Sequence, residues 1–287
     1  MAEIALSPVL ESSTALMRAG RWSTATTLLQ AVTPATPAER LAIAAALAEV
    51  AVDQDFAQQT TNADHALAVL EEALAGSPDA IFGWDLDFLR LREDYGTALL
   101  TGGEEVQSGT DDRVPAEDLA KRADAEAPAK RADAEALAKR VEQLRDTAPD
   151  DARAGHAAFY AGVIADNLRE LPADAFAAYT SALVLGERSG DDLLVSLALR
   201  HLGDHAHTAG NLSLARTQWE RSTELRQKVG HLLGTLAQQT LLAVLAKDEG
   251  NPSASAALAT EVNRWSRQAA LPWLEAQSAG LMKETVG

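Results

Sequence analysis

The 287-residue sequence predicts an all-α fold, a solenoid of antiparallel helix hairpins running through the whole chain. An internal repeat carries this expectation. Ala175, Tyr179, Ala182 and Leu185 recur forty residues later as Ala215, Trp219, Ser222 and Leu225, then more faintly as Ser255, Ala259, Val262 and Trp265. In the preceding helix, Leu202, Gly203, Ala206 and Gly210 recur as Leu242, Ala243, Ala246 and Gly250. Offsets of four and three place each small, large, small series on one helical face. Composition agrees, because 47% hydrophobic content with only 5% aromatic means an apolar mass of Ala and Leu that packs helices closely. No strand pattern competes. A globular chain of this length tends to split in two, whereas a solenoid buries each hairpin against its neighbours and grows as one unit.

The elements follow in order. Ser7 caps and Pro8 starts the first helix, and Gly20, Arg21 and Trp22 turn into a second ending near Val32, giving a hairpin at 7–32. Thr36, Pro37, Ala38 and Glu39 form a capping box that opens an apolar helix from Leu41 to about Phe56. Its partner runs from Ala63 to Ala75, so the second hairpin spans 38–76. The third, at 80–146, begins with Trp84, Leu86, Leu89, Leu91 and Leu99 in a helix that stops at Gly102 and Gly103. Hairpins at 151–188, 191–229 and 231–268 follow, with Pro172 and Pro252 opening second helices and a turn one residue longer in the first of the three. Trp273, Leu274, Leu281 and Met282 make an amphipathic helix at 272–284 that caps the last hairpin.

A low-complexity charged insertion at 102–140 interrupts the rhythm. Gly102 to Pro115 reads as an exposed loop. Leu119–Ala127 is then copied as Pro128–Ala136, before a third start at Leu137. Nine residues advance a helix by about two and a half turns, so successive copies face opposite sides and build no single buried stripe. The expected form is an expanded, solvated helix; a projecting partner-binding arm kinked at Pro128 is the alternative. Leu137, Val141 and Leu144 restore the apolar face.

Leu199, Leu202, Gly203, Ala206, Gly210, Ala215, Trp219 and Ser222 together resemble a tetratricopeptide repeat, and Ala66, Leu70, Ala73 and Leu74 resemble the second helix of an earlier copy. The forty-residue period exceeds the family's usual length of about 34, so the resemblance is to the longer-helix variety in the helical arms of bacterial regulators. Ala206 and Ala246 stand where that family has an aromatic, and Gln239 occupies an apolar position. The resemblance implies a right-handed superhelix whose first helices line a concave groove. Its groove positions fall here on Leu197, Arg200, Asp204, His207 and Thr208, on Ala237, Thr240, Val244, Lys247 and Asp248 in the next hairpin, and on Asn167 in the previous one. Arg200, Lys247 and Asn167 are the set suited to a peptide carboxylate or acidic side chain. Solvated surface charges are the plain alternative.

A formal charge of −17, from 42 acidic against 25 basic residues, disfavours phosphate backbones and anionic lipid heads, so neither nucleic acid nor membrane is an expected partner. Basic proteins or peptides are favoured. The chain has no cysteine, which removes disulfides, thiolate nucleophiles and Cys-ligated zinc. Residues 1–13 lack a cationic stretch followed by an apolar core, and no run approaches the ~18 apolar residues of a membrane span. A cytoplasmic protein is expected, and the excess of Arg over Lys points to a GC-rich bacterial source.

No nucleophile elbow, phosphate loop, zinc-protease helix or dinucleotide fingerprint is present, so no catalytic residue and no cofactor is assigned. The pairs Asp85 and Asp87, and Asp111 and Asp112, are expected by chance in so acidic a chain. His201 and His205 stand one helical turn apart, but no third ligand follows at a diagnostic spacing, and no metal is assigned. Trp219 and Trp265 fall on the repeat's apolar face and read as core, whereas Trp22, in a turn, reads as partly exposed. The expected function is a non-catalytic interaction scaffold or adaptor that binds a peptide or partner protein in its groove. A ligand- or peptide-sensing regulator without its own DNA-binding segment is the second reading, and an enzyme the third; a homo-oligomer is compatible with each.

Overall fold

The computed structural model describes residues 5–108 and 116–284, with side chains for 5–99 and 130–283. Among the described residues every regular element is a helix, thirteen in all. α1 (Leu6–Arg18) and α2 (Trp22–Gln30) form the first hairpin, α3 (Pro37–Gln58) and α4 (Ala63–Gly76) the second, and α5 (Ala80–Ser108) and α6 (Ala116–Asp146) the third. Three more follow: α7 (Asp151–Asn167) with α8 (Pro172–Ser189), α9 (Asp192–Thr208) with α10 (Leu212–Lys228), and α11 (Leu232–Asp248) with α12 (Pro252–Ala269). A final helix, α13 (Pro272–Glu284), closes the series. Each helix packs on the next, and α3, α5, α7 and α9 also touch in turn, the neighbour-to-neighbour pattern of a solenoid.

Local chemistry explains most helix ends. The Thr36 hydroxyl accepts from the Glu39 N–H at 3.1 Å while the Glu39 carboxylate accepts from the Ala35 N–H at 2.6 Å, a reciprocal cap worth about 1 kcal/mol. Asp150, Asp191, Asn211, His231 and Asn251 cap α7, α9, α10, α11 and α12. Gly210 and Gly250 take φ of 77° and 79° in their hairpin turns, where a Cβ would be strained. Glu170, at φ 54°, serves the corresponding turn between α7 and α8, which is one residue longer.

Two ends differ from expectation. α1 begins at Leu6 after Ala5, and the Ser7 hydroxyl donates to Glu11 instead of capping. Gly102 and Gly103 do not stop α5, which continues to Ser108. Glycine costs a helix about 1 kcal/mol yet keeps its N–H, so it weakens the ladder without cutting it. The rest of that expected loop, 109–115, lies outside the described residues. The nine-residue repeat falls on the backbone of α6, continuous across Pro128, and its side chains at 119–129 also lie outside the described residues. Beyond them Ala134, Leu137, Val141 and Leu144 are buried.

The repeated face forms the core. Ala175, Tyr179 and Ala182, and Ala215, Trp219 and Ser222, are all 0–1% exposed. Trp265 breaks the pattern at 40% exposure, its indole N–H donating to Glu261 at 2.8 Å with the Arg264 guanidinium 5.0 Å from the ring. The α13 helix covers the Val262, Asn263 and Ser266 side of α12 and leaves Trp265 outside.

The two ends of the array meet. Met17, Trp22, Ala25 and Leu29 of the first hairpin share one apolar cluster with Leu236 of α11, Val262 of α12, and Leu271 and Leu274 at the start of α13. A Cβ on Gly20 would stand 3.5 Å from both Leu232 and Trp22. α13 itself packs on α12 and α11 of the last hairpin. Trp22, expected to be partly exposed, is 4% exposed and donates to the Asp53 carboxylate at 2.7 Å. Among the described residues no helix is long and apolar enough to cross a membrane.

Candidate binding channel

The ends meet beside the row of odd-numbered helices, and this face is the candidate channel. Groups from α1, α5, α10 and α11 converge there: the imidazole of His231, which caps α11, lies within electrostatic reach of Arg226, Arg18 and Arg92. Arg92 in turn sits beside Tyr160 of α7 and Asp53 of α3.

Polar contacts tie the odd-numbered helices together along this wall. Asn167 donates to the Tyr95 hydroxyl at 2.6 Å, joining α7 to α5. Arg200 donates to Asp204 at 3.1 Å within α9 and lies close enough to act on Tyr95. His207 meets Asp248 of α11 at 2.8 Å, and His156 of α7 meets Asp191, the cap of α9, at 2.8 Å. Arg200 and Asn167 therefore come together at Tyr95, while Lys247 lies in the last turn of α11. Of the other expected groove positions, Leu197 packs on the core, Val244 is half-buried, and Thr208 is exposed at the end of α9. Thr240 is buried, and its hydroxyl donates to its own helix at Leu236. Ala237 packs on the cluster that joins the chain ends.

His201 and His205 diverge. His201 stacks on Tyr179, with ring centroids 4.6 Å apart, and His205 reaches Asp166 at 3.1 Å. Among the described residues no group of three His, Cys, Asp or Glu is placed to hold a metal ion. Tyr95, Arg92, Asp53, Arg18, Arg226 and His231 stand beside the candidate channel and are residues that the forty-residue frame did not reach. The first four stand in hairpins whose repeat is too degenerate to align, and the last two flank a turn that the groove pattern omits.

Burial, with Arg226, Arg18 and Arg92 nearby, pushes the His231 imidazole down to about 3. Burial chiefly, then Arg200, holds His201 well below the ordinary histidine range. Both are neutral when folded and regain an ordinary pKa near 6.5 when unfolded. Between those values the unfolded chain binds more protons, so their stability is complete above about pH 6.5 and is lost as pH falls. For His231 the loss from pH 7.5 to 5 is about 2 kcal/mol, and His201 adds in the same direction. Glu93, raised to about 7 by burial and then by Asp64, works the other way, and its exposure reduces the effect. Asp191, held down to about 2 against its own burial by His156, adds a loss only below about pH 4. Urea unfolding should therefore give a lower midpoint at pH 5 than at pH 7.5. His231→Asn, which can still cap α11, should flatten that difference by about 2 kcal/mol; an unchanged pH slope in the variant would refute this account.

The fold is that of a helical-repeat solenoid of the tetratricopeptide-like kind. No protein-family model and no curated protein matches the sequence. Among solved structures the chain is similar to a Rap protein complexed with competence and sporulation factor, at 11% identity and a TM-score of 0.51, over 98% of this chain and 85% of that one. It is similar also to aspartyl phosphate phosphatase F from Bacillus subtilis, at 9% identity and 0.47, over 100% and 84%. A third likeness is to a signal transduction ATPase with numerous domains bearing a tetratricopeptide repeat sensor, from Pyrococcus horikoshii, at 12% identity and 0.45. That match takes in 93% of this chain and only 36% of the archaeal protein. At such identities the likeness concerns fold alone.

Proposed function

We propose that this protein is a non-catalytic binding module that holds an extended peptide segment in its channel. The observation that carries the reading is the succession of hydrogen-bonding groups on neighbouring helices of one wall: Tyr95 with Asn167, Arg200 with Asp204, and His207 with Asp248. An extended peptide presents a donor and an acceptor at every residue, and such a row can exchange its internal bonds for bonds to that backbone. Contact between the first and last hairpins beside this row favours a single strand over a folded domain. It also favours the sensing form of the reading, since a ligand in the channel bears on the joint between the ends. The Rap protein of like fold was solved with competence and sporulation factor, a precedent for a bound partner on this architecture.

The acidic surface steers basic segments toward the protein, and inside the channel Arg200 meets the ligand's carboxylate. The test is selection from a random displayed-peptide library, followed by fluorescence anisotropy of the selected peptides against wild type and Arg200→Gln. Removing one charge-assisted hydrogen bond should weaken binding about tenfold to a hundredfold, with the circular dichroism spectrum unchanged. Peptides that bind the variant as tightly as wild type, or a library that yields no binder, would overturn the reading.

A further inference from the structure

In a chain of net charge −17, two arginines beside the candidate channel make no hydrogen-bonded ion pair with an acid among the described residues. Arg226 is 3% exposed, and its Nε makes no hydrogen bond; the buried Nε of Arg18 makes none either. Among the described residues no carboxylate forms an ion pair with either guanidinium. The acids in reach are engaged elsewhere. Asp53 accepts from Trp22, Asp204 from Arg200, and Asp191 holds His156 while capping α9. A buried cation left unpaired is costly.

Arg226 also lies where a cation is least welcome. Its guanidinium rests on the first turn of α11, in the space that a side chain at position 234 would fill: a Cβ on Gly234 would overlap both Arg226 and His231. That turn carries the positive end of a seventeen-residue helix. The His231 Nδ1 accepts from the Gly234 N–H at 3.2 Å, which puts the imidazole proton on Nε2. A donor ring, the Arg226 guanidinium and a helix N-terminus thus gather at one point, with Arg18 in electrostatic reach of the ring; burial, then Arg200, holds Arg226 down to about 9.

We propose that this point, between Arg226, Arg18 and His231 at the N-terminus of α11, is a binding site for a phosphate-class dianion. Guanidinium forks match an oxyanion in two hydrogen bonds each, and helix N-termini favour the same group. The concentration of positive charge selects two negative charges over one. Arg200 and Asp204 lie within electrostatic reach of Arg226, so the site neighbours the Arg200 contacts of the peptide reading, but phosphate titration of the free protein tests it without any peptide.

Isothermal titration of the full chain with sodium phosphate at pH 7.5, at ionic strength matched with sodium chloride, tests the site. One saturable site per chain is expected. Arg226→Met and Arg18→Gln should each weaken it about tenfold to a hundredfold. Met fills the buried volume without a charge, so Arg226→Met should remain at least as stable as wild type in chloride, while losing the rise in Tm that phosphate gives wild type. Arg18, only half-buried, supplies the variant least prone to unfold. No saturable heat with wild type, or equal affinity in both variants, would overturn the proposal; acetate binding as tightly as phosphate would overturn the choice of a dianion.

Discussion

Gly203→Val is expected to destabilise the protein by about 3–5 kcal/mol. Gly203 lies on α9 under the indole of Trp219, and a Cβ there would overlap Cδ1 and Nε1 of that ring. The ring has nowhere to retreat, being 1% exposed, and its N–H donates to the Arg200 carbonyl at 2.9 Å. Overpacking costs about 1–3 kcal/mol, and orphaning a buried donor about 1–3 more. One repeat away, Gly162 makes the same close approach to Tyr179, so the pairing is a built feature of the array. Urea unfolding monitored by far-ultraviolet circular dichroism measures the loss. Gly203→Ala combined with Trp219→Leu, which empties the contested space, should be less destabilised than Gly203→Ala added to Trp219→Leu as independent changes. A loss below 1 kcal/mol for Gly203→Val would show that α9 and α10 are not held at this distance.

Trp22→Ala is expected to cost about 3–5 kcal/mol and to part the two ends of the solenoid. Truncating a buried tryptophan removes its apolar burial and leaves a cavity, here in the cluster that joins the first hairpin to Leu236, Leu271 and Leu274. The change also strips Asp53 of its indole donor, leaving a half-buried carboxylate whose pKa burial already raises. Most of the remaining contacts of α1 and α2 are with each other and with α3, so the hairpin can swing with α3 as one body. Small-angle scattering should show a larger radius of gyration than wild type, and Trp22→Phe, which keeps most of the packing, should lose only about 1–2 kcal/mol. An unchanged radius of gyration in Trp22→Ala would mean that closure is carried by other residues.

Within hairpins the sequence was a sufficient guide. Tyr179 and Trp219 recur at a fixed offset with small residues on either side, and both are core. The cap pairing of Thr36 with Glu39, the glycines at 210 and 250, and the longer turn at Glu170 were legible as well. All of these depend on groups within a few residues of one another, where residue type fixes geometry. The frame failed at the edges: it put Trp265 in the core, stopped α5 at Gly102, and read Trp22 as partly exposed. The candidate channel was legible only in part. Arg200, Asp204 and His207 were expectations drawn from the family resemblance, whereas Tyr95, Arg18, Arg226 and His231 were not expected at all.

By itself, then, the sequence determined an all-helical array, the order of its hairpins and the face each buries, because a helix and its hairpin partner are governed by short-range periodicity and turn chemistry. Only the tertiary structure decided that Gly20 meets Leu232, that Trp265 stays outside, and that the Nε of Arg226, on the first turn of α11, has no hydrogen-bond partner among the described residues. The reason is that small rotations between successive hairpins add along a solenoid. Whether its ends meet is a property of their sum, and no local window of residues contains it.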